Sequence, residues 1–280
     1  MFPSSIRLPD APPHVALVTG AARRLGRAIA LGLAARGWDI GVHYGTSRAE
    51  ACAVVAEIEA LGRRAVALQA DLADAEQTER LLPNCAAALG TVRCVVNNAS
   101  LFEEDRADNF AYPALLRMTA VNVAAPVALA RALYQGLPAQ AEDDETLRGV
   151  VINLLDQKLF NLNADYLSYT LSKAALQTAT TTLAQALAPR VRVVGVAPGL
   201  TLPSADQTAA QFAAAHRHTP LRRASRPEDV VQAVCYLAEA SGVTGTTLLV
   251  DGGQHLLPLP RDIMFLAGDA QVPNAPQTTN

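Results

Sequence analysis

Tyr169 and Lys173 are the residues whose types and spacing are best suited to moving a proton. They stand four positions apart in "YLSYTLSKAA" (166–175), an alanine-rich stretch of helical period, and therefore lie on one face of a helix. An ammonium group beside a phenol stabilises the phenolate and lowers the pKa of the phenol. The spacing predicts that Tyr169 donates or accepts a proton near neutral pH. Tyr166 has no lysine four positions later and is interpreted as a packing aromatic.

A glycine-rich loop, "TGAARRLGRA" (19–28), is the second stretch that could do chemistry. Gly20 begins a turn from a predicted strand into a predicted helix that runs from about Leu25 to Ala35. Backbone N–H groups at a helix N-terminus bind anions, and in a dinucleotide fold this is the position of the pyrophosphate. The loop therefore predicts a phosphate-bearing ligand at Gly20.

Three arginines, Arg23, Arg24 and Arg27, occupy the first turn of that helix. The helix dipole disfavours cations there, so each costs about 0.3 to 1 kcal/mol unless an anion offsets the repulsion. A di- or triphosphorylated ligand would supply that anion. The alternative interpretation is that the three arginines are solvated surface residues.

The end of the second predicted strand, "HYGTSR" (43–48), indicates which dinucleotide is bound. Folds selective for NAD carry an acidic residue near this point to hold the ribose 2′-hydroxyl, and none follows the strand here. His43, Ser47 and Arg48 stand where a 2′-phosphate would sit, which favours NADP. A second interpretation, which is compatible with phosphate binding, is that the stretch is a turn with Thr46 or Ser47 as helix N-cap.

Seven short β-branched runs alternate with longer alanine- and leucine-rich segments of helical period, as in repeated βαβ units. Most of the runs are apolar without alternation, which is typical of parallel strands covered on both faces. The predicted fold is α/β: a single-domain, doubly wound Rossmann fold with a seven-stranded parallel sheet. The predicted strands are 14–19, 39–44, 65–70, 93–98, 150–155, 191–197 and 246–251.

Composition places the chain among globular proteins, because half of its 280 residues are apolar and 18% are charged. We expect one NADP-binding domain over residues 14–255, a flexible N-terminus over 1–13, and a C-terminal extension over 256–280 whose end is disordered. The net charge of −3, without a basic stripe, argues against nucleic acid and anionic membranes as partners.

The segment "MFPSSIRLPDAPPH" at the start of the chain has no apolar core of the kind found in signal peptides, and a cytoplasmic protein is expected. The cysteines have neither CxxC nor Cys/His ligand spacing, which argues against a metal site and a disulfide framework. We interpret them as buried small hydrophobes; they are Cys52, Cys85, Cys94 and Cys235.

The order of these motifs resembles the short-chain dehydrogenase/reductase family over nearly the whole predicted domain. The motifs are TGxxxxxG, "NNA" (97–99), Asn122, YxxxK and "PG" (198–199). The resemblance implies a nicotinamide cofactor across the carboxyl edge of the sheet, a proton-relay water supported by Asn122, and Lys173 on the nicotinamide ribose. Further cofactor contacts implied or expected at this edge are Leu25, Tyr44, Asp71, Leu72, Asn98, Ala99, Ser100, Pro198 and Gly199.

Two departures from the usual family pattern resemble the pteridine reductases, a subgroup that reduces pterins with NADPH. Arg24 replaces the middle glycine of TGxxxGxG, and Asp156 replaces the serine thirteen residues before Tyr169. The stretch "NNASLF" is also similar, in which Ser100 and Phe102 correspond to residues that hold and stack the pterin ring. The resemblance implies that Arg24 lies between the cofactor phosphates and the pterin.

A carboxylate at position 156, in place of the usual serine, suits a pterin better than a ketone. A ketone reductase needs a hydroxyl that donates to the substrate oxygen, and a carboxylate there would repel the developing alkoxide. A pterin offers N–H donors that a carboxylate can accept, together with imine nitrogens that need protons. The alternative is that Asp156 caps a loop while a ketone is reduced without the serine.

One departure weakens the NADP prediction, since the pterin subgroup often has a basic residue where this chain has Thr46. Arg48 or Arg23 could substitute for it. The hypotheses are an NADPH-dependent pteridine reductase acting on dihydropterin or dihydrofolate, a general ketone or alcohol oxidoreductase, and a non-catalytic NADP-binding sensor. The sensor hypothesis is disfavoured, because a binding module has no need of Asn122, Tyr169 and Lys173.

The segment "QHLLPLPRDIMFLAG" (254–268) continues past the usual end of this fold with apolar residues and prolines. If exposed, it would form an apolar patch of the kind that marks contacts. We hypothesise that it packs across a subunit interface of a homotetramer, the assembly that most relatives form. The alternative is packing on its own subunit. The apolar residues are Leu256, Leu257, Leu259, Ile263, Met264, Phe265 and Leu266.

Overall fold

The computed structural model of the protein describes residues 14–202, 212, 219–223, 225–262 and 265. The predicted flexibility of residues 1–13 and the predicted disorder at the end of the chain lie outside the described residues.

Seven strands form one parallel sheet in the order β3-β2-β1-β4-β5-β6-β7, which confirms the predicted fold class. Every predicted strand is found, with bounds that differ by at most one residue. The strands are β1 His14–Val18, β2 Trp38–Tyr44, β3 Ala65–Gln69, β4 Val92–Asn97, β5 Gly149–Leu154, β6 Val191–Pro198 and β7 Thr247–Val250.

Helices cover both faces of the sheet and divide the core into two clusters. The helices are α1 Arg24–Ala34, α2 Arg48–Ala60, α3 Ala75–Leu89, α4 Tyr112–Thr119, α5 Ala125–Gly136, α6 Leu167–Leu187 and α7 Pro227–Glu239. Residues of α1, α2 and α7 share one core cluster, in which Ile29 and Leu33 are fully buried. Residues of α3, α5 and α6 share the other, in which Leu129 and Leu133 are fully buried. The continuous apolar strands are buried between these layers, as parallel strands require.

A π-helical turn, Ala120–Ala124, joins α4 to α5. The whole segment Tyr112–Gly136 is long and apolar enough to cross a membrane by length and composition alone. Its α5 part packs against α3, α6 and the strands β4 and β5, as the core helix of a doubly wound sheet does. A π turn interrupts the regular ladder of hydrogen bonds, and such turns are common at functional sites.

The cysteine prediction is correct for three of the four residues. Cys85, Cys94 and Cys235 are buried, and burial raises the pKa of both the Cys85 and the Cys94 thiol to about 12. Cys52 is exposed on α2, so it is not a core residue. All four are free thiols.

The strand order reverses between β1 and β4, because the chain winds outward from β1 to β3 and then returns to the other side of β1. In open α/β sheets, ligands bind in the crevice outside the carboxyl ends of the strands at such a switch point. The loops after β1, β4, β5 and β6 meet at this edge. They contain the glycine loop, "NNAS", Asp156 and "PG".

Candidate active site

The glycine loop after β1 is folded tightly onto the first turn of α1. Gly20 has a φ of +62°, which favours glycine, and its N–H donates to Nδ1 of His43 over 3.0 Å. A Cβ added at Gly26 would lie 2.1 Å from the Gly20 carbonyl oxygen, so only glycine fits there. The loop therefore brings backbone and helix N-terminus to the crevice with no side chain between them.

His43 is buried beneath this loop, which corrects its predicted place at a 2′-phosphate. Its Nδ1 accepts from Gly20, and its Nε2 lies 3.1 Å from the Ala70 carbonyl oxygen, to which the matching tautomer donates. Burial lowers the pKa of His43, so the ring is neutral at physiological pH. With both ring nitrogens engaged, His43 supports the glycine loop instead of contacting the phosphate.

Arg24 is exposed at the first residue of α1 with a φ of +50°. A side chain in this left-handed region costs about 1–2 kcal/mol, a cost that glycine avoids. Strain of this kind clusters at functional sites, where the residue's side chain is needed. The backbone at Arg24 therefore has a conformation that favours glycine, but the residue bears a guanidinium group.

The other two arginines of the first turn have carboxylate partners, which corrects the expectation that all three require an anion. Arg23 pairs with Glu50, and Arg27 pairs with Glu57 over 2.5 Å; both acids belong to α2. All four side chains are exposed, so these pairs contribute little stability. The N-terminus of α1 itself has no side-chain cap and no acidic residue in its first turn, so its backbone donors suit an anion.

The end of β2 has the predicted turn. Ser47 occupies the N-cap position of α2 without making a side-chain cap hydrogen bond, and Tyr44 is buried. Thr46 and Arg48 are exposed beside it. Unlike Arg23, Arg48 forms no ion pair within the described parts of the chain. Ser47 and Arg48 therefore present a hydroxyl and a guanidinium at the rim of the crevice.

The "NNAS" loop after β4 is joined to the glycine loop by four hydrogen bonds. The backbone N–H groups of Asn98 and Ala99 donate to Oγ1 of Thr19 over 2.9 and 3.0 Å. The Asn98 amide donates to the carbonyl oxygens of Thr19 and Gly20 over 2.9 and 3.3 Å. The Asn98 side chain is therefore engaged in positioning the glycine loop.

Asn122, in the π turn, holds the next part of that loop. Its Oδ1 accepts from the N–H of Leu101 over 2.8 Å and from the hydroxyl of Ser100 over 3.2 Å. Its amide donates to the Leu101 carbonyl oxygen and to Oγ of Ser172, each over 3.0 Å. Ser172 precedes Lys173, so Asn122 connects the Ser100 loop with the helix that bears Lys173.

Asp156 and Tyr169 form the central contact of the site. The Tyr169 hydroxyl donates to Oδ2 of Asp156 over 2.8 Å. The other carboxylate oxygen, Oδ1, accepts from the N–H of Lys158 over 2.8 Å and caps the short 3₁₀ helix Gln157–Phe160. Asp156 therefore caps a loop with one oxygen and faces the phenol with the other.

The pKa of the phenol moves in the direction opposite to the prediction. Burial, and then the charge and hydrogen bond of Asp156, raise the pKa of Tyr169 well above 10.0. Lys173 lies with its Nζ 5.7 Å from the centre of the Tyr169 ring and donates to the Leu154 carbonyl oxygen over 2.7 Å. Burial lowers the pKa of Lys173 to about 8. Tyr169 is therefore a neutral phenol near neutral pH, a state suited to donating a proton.

Burial also raises the pKa of Asp156 above 3.8, although its hydrogen bonds to Lys158 and Tyr169 oppose the shift. A carboxyl group with a raised pKa can hold a proton at a higher pH than an exposed one. The pair therefore contains two groups that can carry a transferable proton.

An aromatic wall stands beside this pair. The ring of Phe102 stacks on Tyr166 at a centroid distance of 4.3 Å and meets Tyr169 edge-on at 4.7 Å. Tyr166 is buried, as expected of a packing aromatic. Phe102 itself is exposed and offers an apolar surface beside the Tyr169 ring.

The described part of the C-terminal segment contacts its own chain through Arg261, Asp262 and Phe265, whereas Leu256 is exposed. Arg261 Nε donates to both oxygens of the buried Asp165 over 3.1 and 2.9 Å, and the Asp262 N–H donates to the same carboxylate over 2.9 Å. The buried Lys158 lies 3.4 Å from Asp262, and Phe265 stacks on Tyr166 at 6.0 Å. The predicted apolar contacts of Ile263, Met264 and Leu266 lie outside the described residues.

Sequence reasoning missed Lys158 and Asp165 as parts of this region. Lys158 Nζ donates to Oδ1 of Asn163 and to the Asp165 carbonyl oxygen, each over 2.6 Å. The signal available was that Lys158 is one of only two lysines in the chain and follows Asp156 by two positions.

The remaining predicted cofactor positions lie along the same edge. Asp71 is exposed after β3 and caps its own turn through the N–H of Ala73, whereas Leu72 is buried. Leu25 packs partly buried on the core behind the glycine loop. Pro198 ends β6, and the Gly199 N–H donates to Val250 over 3.0 Å.

Comparison with known proteins gives a consistent result. The family model described as Enoyl-(Acyl carrier protein) reductase matches residues 20–255. An uncharacterized oxidoreductase of Mycobacterium tuberculosis is 37% identical over 279 residues, covering 93% of this chain and 99% of that protein. A 3-oxoacyl-[acyl-carrier-protein] reductase of Synechocystis is 33% identical over 245 residues, covering 86% and 96%.

A solved structure is also similar over most of the chain. FolM alternative dihydrofolate reductase 1 from Brucella canis, complexed with NADP, is 40% identical with a TM-score of 0.80, covering 87% of this chain and 95% of that one. With the sheet order, the glycine loop and the Tyr169–Lys173 pair, these matches show that the chain is an oxidoreductase of the short-chain dehydrogenase/reductase family.

Proposed function

We propose that this protein is a cytoplasmic, NADPH-dependent reductase that converts dihydropterins or dihydrofolate to the tetrahydro form. The observation that carries the proposal is the Asp156 carboxylate 2.8 Å from the Tyr169 hydroxyl, where a ketone reductase would need a hydroxyl donor. The 40% identity with the FolM structures from Brucella canis and Brucella suis supports the same substrate class.

The residues present fit a dinucleotide. The α1 N-terminus is uncapped, Gly20 and Gly26 leave its approach open, and Arg24 adds a cation beside it. Ser47 and Arg48 would supply a hydroxyl and a guanidinium for a 2′-phosphate, and Lys173 would hold the nicotinamide ribose. Four solved relatives contain NADP or NADPH, which supports this choice of cofactor.

The proposed reaction reduces a C=N bond to CH–NH. NADPH supplies the hydride when bound and leaves as NADP⁺, so the protein must provide one proton to the ring nitrogen. Asp156 accepts a hydrogen bond from an N–H group of the pterin and so orients the ring, while Phe102 stacks on the face of the pterin. Tyr169, kept neutral by burial, donates the proton, and Asp156, which enters the reaction protonated, replenishes it.

A general ketone or alcohol oxidoreductase is the second candidate, supported by relatives such as the L-rhamnose 1-dehydrogenase of Sphingomonas, which is 32% identical. NADPH oxidation should be followed with dihydropterins, dihydrofolate and simple ketones in parallel. Turnover on the pterins that exceeds turnover on every ketone by about a hundredfold is expected, since only a pterin pairs with the Asp156 carboxylate. Faster turnover on a ketone would overturn the proposal.

NADPH should bind more tightly than NADH. A recognised 2′-phosphate contributes charge-assisted hydrogen bonds, which should lower the dissociation constant about tenfold or more. Fluorescence titration of the two cofactors measures this ratio. Arg48→Gln should reduce the preference for NADPH over NADH. Arg80→Gln is the control and should leave the preference unchanged, because Arg80 is an exposed arginine of α3 that pairs with Glu76. Equal dissociation constants for the wild-type protein at moderate salt would contradict the prediction.

Arg24→Gly should separate backbone strain from cofactor binding. Glycine relieves the left-handed backbone, so the melting temperature should stay equal or rise by a few degrees. The dissociation constant for NADPH should rise about tenfold, because a charge-assisted contact is lost. Arg222→Gly is the matched control, since Arg222 has a φ of +51° outside the glycine loop. Unchanged NADPH binding in Arg24→Gly would remove Arg24 from the cofactor site.

The proposed assembly is a homotetramer. Exposed apolar residues on α4 (Tyr112, Leu116) and α6 (Leu171), and Leu248 on the edge strand β7, supply surface for it. Light scattering should give four times the chain mass of 29.5 kDa. A monomeric mass at micromolar concentration would contradict it.

A further inference from the structure

Asp165 is a buried carboxylate at which three segments of the chain meet. It lies in the loop between Asp156 and Tyr169, and its side chain is 1% exposed. Arg261, from the C-terminal segment, donates through Nε to both carboxylate oxygens, over 3.1 and 2.9 Å. Arg106, from the loop between β4 and α4, places its Nε 3.8 Å from the same carboxylate. Asp165 therefore joins the C-terminal segment to two loops that border the crevice.

Backbone groups strengthen the same junction. The N–H of Asp262 donates to Oδ2 of Asp165 over 2.9 Å. The buried Lys158 ammonium donates to the Asp165 carbonyl oxygen over 2.6 Å and lies 3.4 Å from the Asp262 carboxylate. Although burial opposes the shift, the hydrogen bonds from Arg261 and from the Asp262 N–H hold the pKa of Asp165 below its ordinary value of 3.8. Asp165 is therefore ionised at neutral pH, and its contact with Arg261 is an ion pair.

The segment held in this way brings Phe265 to the aromatic wall of the candidate active site. The Phe265 ring stacks on Tyr166 at a centroid distance of 6.0 Å and an interplanar angle of 17°. Tyr166 also stacks on Phe102, at 4.3 Å and 19°. The guanidinium carbon of Arg261 lies 4.7 Å from the centre of the Phe265 ring, so one side chain contacts both Asp165 and Phe265. Two stacked contacts therefore connect the C-terminal segment with Phe102.

Phe102 is the exposed ring of this stack, and it meets Tyr169 edge-on at 4.7 Å. An exposed side chain keeps several staggered rotamers open unless a neighbour selects one. The stacked contact with Tyr166 supplies that selection, since aromatic pairs favour defined ring geometries. Phe265 packs against Tyr166 in turn, so it restricts the ring on which Phe102 stacks.

We propose that Arg261 is a positioning residue for substrate binding: through Asp165 it fixes the C-terminal segment, and through Phe265 it braces the ring stack that ends at Phe102. The inference rests on the proposed function for the class of substrate, because a planar pterin is what the Phe102 ring would stack on. Arg261 takes no part in the transfer of the hydride or the proton. Its loss should therefore weaken substrate binding and leave the chemical step unchanged.

Arg261→Met tests this, because methionine keeps an unbranched side chain but cannot pair with Asp165. The Arg261 side chain is 42% exposed, so the variant should fold. The KM for dihydropterin should rise about tenfold while kcat stays within about twofold of wild type, because the lost support acts equally on the ground state and the transition state. Arg261→Lys keeps the charge and should raise KM about threefold. Arg80→Met on α3 is the control and should leave KM unchanged.

Hydrogen exchange followed by mass spectrometry gives a readout that needs no substrate. The Asp262 amide, which donates to Asp165, should exchange about tenfold faster in Arg261→Met than in wild type. If the wild-type enzyme reduces ketones and no pterin, the proposed function fails. The kinetic comparison then uses the ketone with the highest wild-type turnover, so the test of Arg261 remains decisive.

A double variant shows whether Arg261 acts through Phe265. Phe265→Leu should raise KM about as much as Arg261→Met, and combining the two should raise it no further, because both changes interrupt one line of contacts. An unchanged KM in Arg261→Met would overturn the proposal, as would a fall in kcat at constant KM. Additive effects in the double variant, or unchanged exchange of the Asp262 amide, would also overturn it.

Discussion

Tyr169→Phe should lower turnover on dihydropterin about a thousandfold, within the range seen when a general acid is removed. Phenylalanine keeps the ring that packs against Phe102 at 4.7 Å, but it removes the hydroxyl bonded to Asp156. The melting temperature and NADPH binding should change little, because the Tyr169 hydroxyl makes no other hydrogen bond among the described residues. Steady-state kinetics and a cofactor titration on the same preparation measure both.

Tyr236→Phe is the matched control, since Tyr236 is an exposed tyrosine of α7 that loses the same hydroxyl far from the crevice. It should keep wild-type turnover. A Tyr169→Phe enzyme that retained more than about a tenth of wild-type turnover would show that the proton comes from another group.

Asp156→Asn should lower turnover on dihydropterin about a hundredfold and leave NADPH binding nearly intact. Asparagine keeps the size of the side chain but cannot carry a titrating proton or accept with two oxygens. Asp144→Asn is the matched control, because Asp144 caps a 3₁₀ helix through the N–H of Thr146 just as Asp156 does through Lys158. Wild-type turnover in Asp156→Asn would mean that Asp156 only caps its loop. Asp156→Ser should gain weak ketone reduction.

The pH profile gives the same prediction a second readout. Protonated Asp156 is the active form, so turnover should fall as pH rises through its raised pKa, and this step should be absent in Asp156→Asn. The free energy of unfolding should also fall as pH rises. Because the folded chain binds this proton more tightly than the unfolded chain, the contribution of Asp156 to the free energy of unfolding falls as pH rises from 3.8 through the raised value. Asp156→Asn should remove this pH dependence of the free energy of unfolding.

Local patterns in the sequence were sufficient to predict the sheet and the core of the site. Continuous β-branched runs mark buried parallel strands, so all seven strands were located. The spacing of Tyr169 and Lys173 and the placement of Asp156 directly after β5 put all three in one crevice. Each of these inferences depends on the spacing of residues within one helix or strand, or on the residue that follows a strand.

Contacts between distant segments could not be predicted in this way. His43 lies beneath Gly20 because segments 23 residues apart meet in the fold, and the carboxylate partners of Arg23 and Arg27 come from another helix. The direction of the Tyr169 pKa was wrong for the same reason. The i, i+4 spacing revealed Lys173, but the opposing burial and the Asp156 contact arise only from the packed crevice.

The claim that this chain reduces pterins with a hydride from NADPH is tested most directly by isotope transfer. The enzyme is incubated with dihydropterin and NADPH that is deuterated at both C4 positions of the nicotinamide, and the product is analysed by mass spectrometry. The account predicts a tetrahydropterin with one deuterium on a ring carbon next to nitrogen, formed about a thousandfold more slowly by Tyr169→Phe. Absence of tetrahydropterin, or a tetrahydropterin without deuterium, would contradict it.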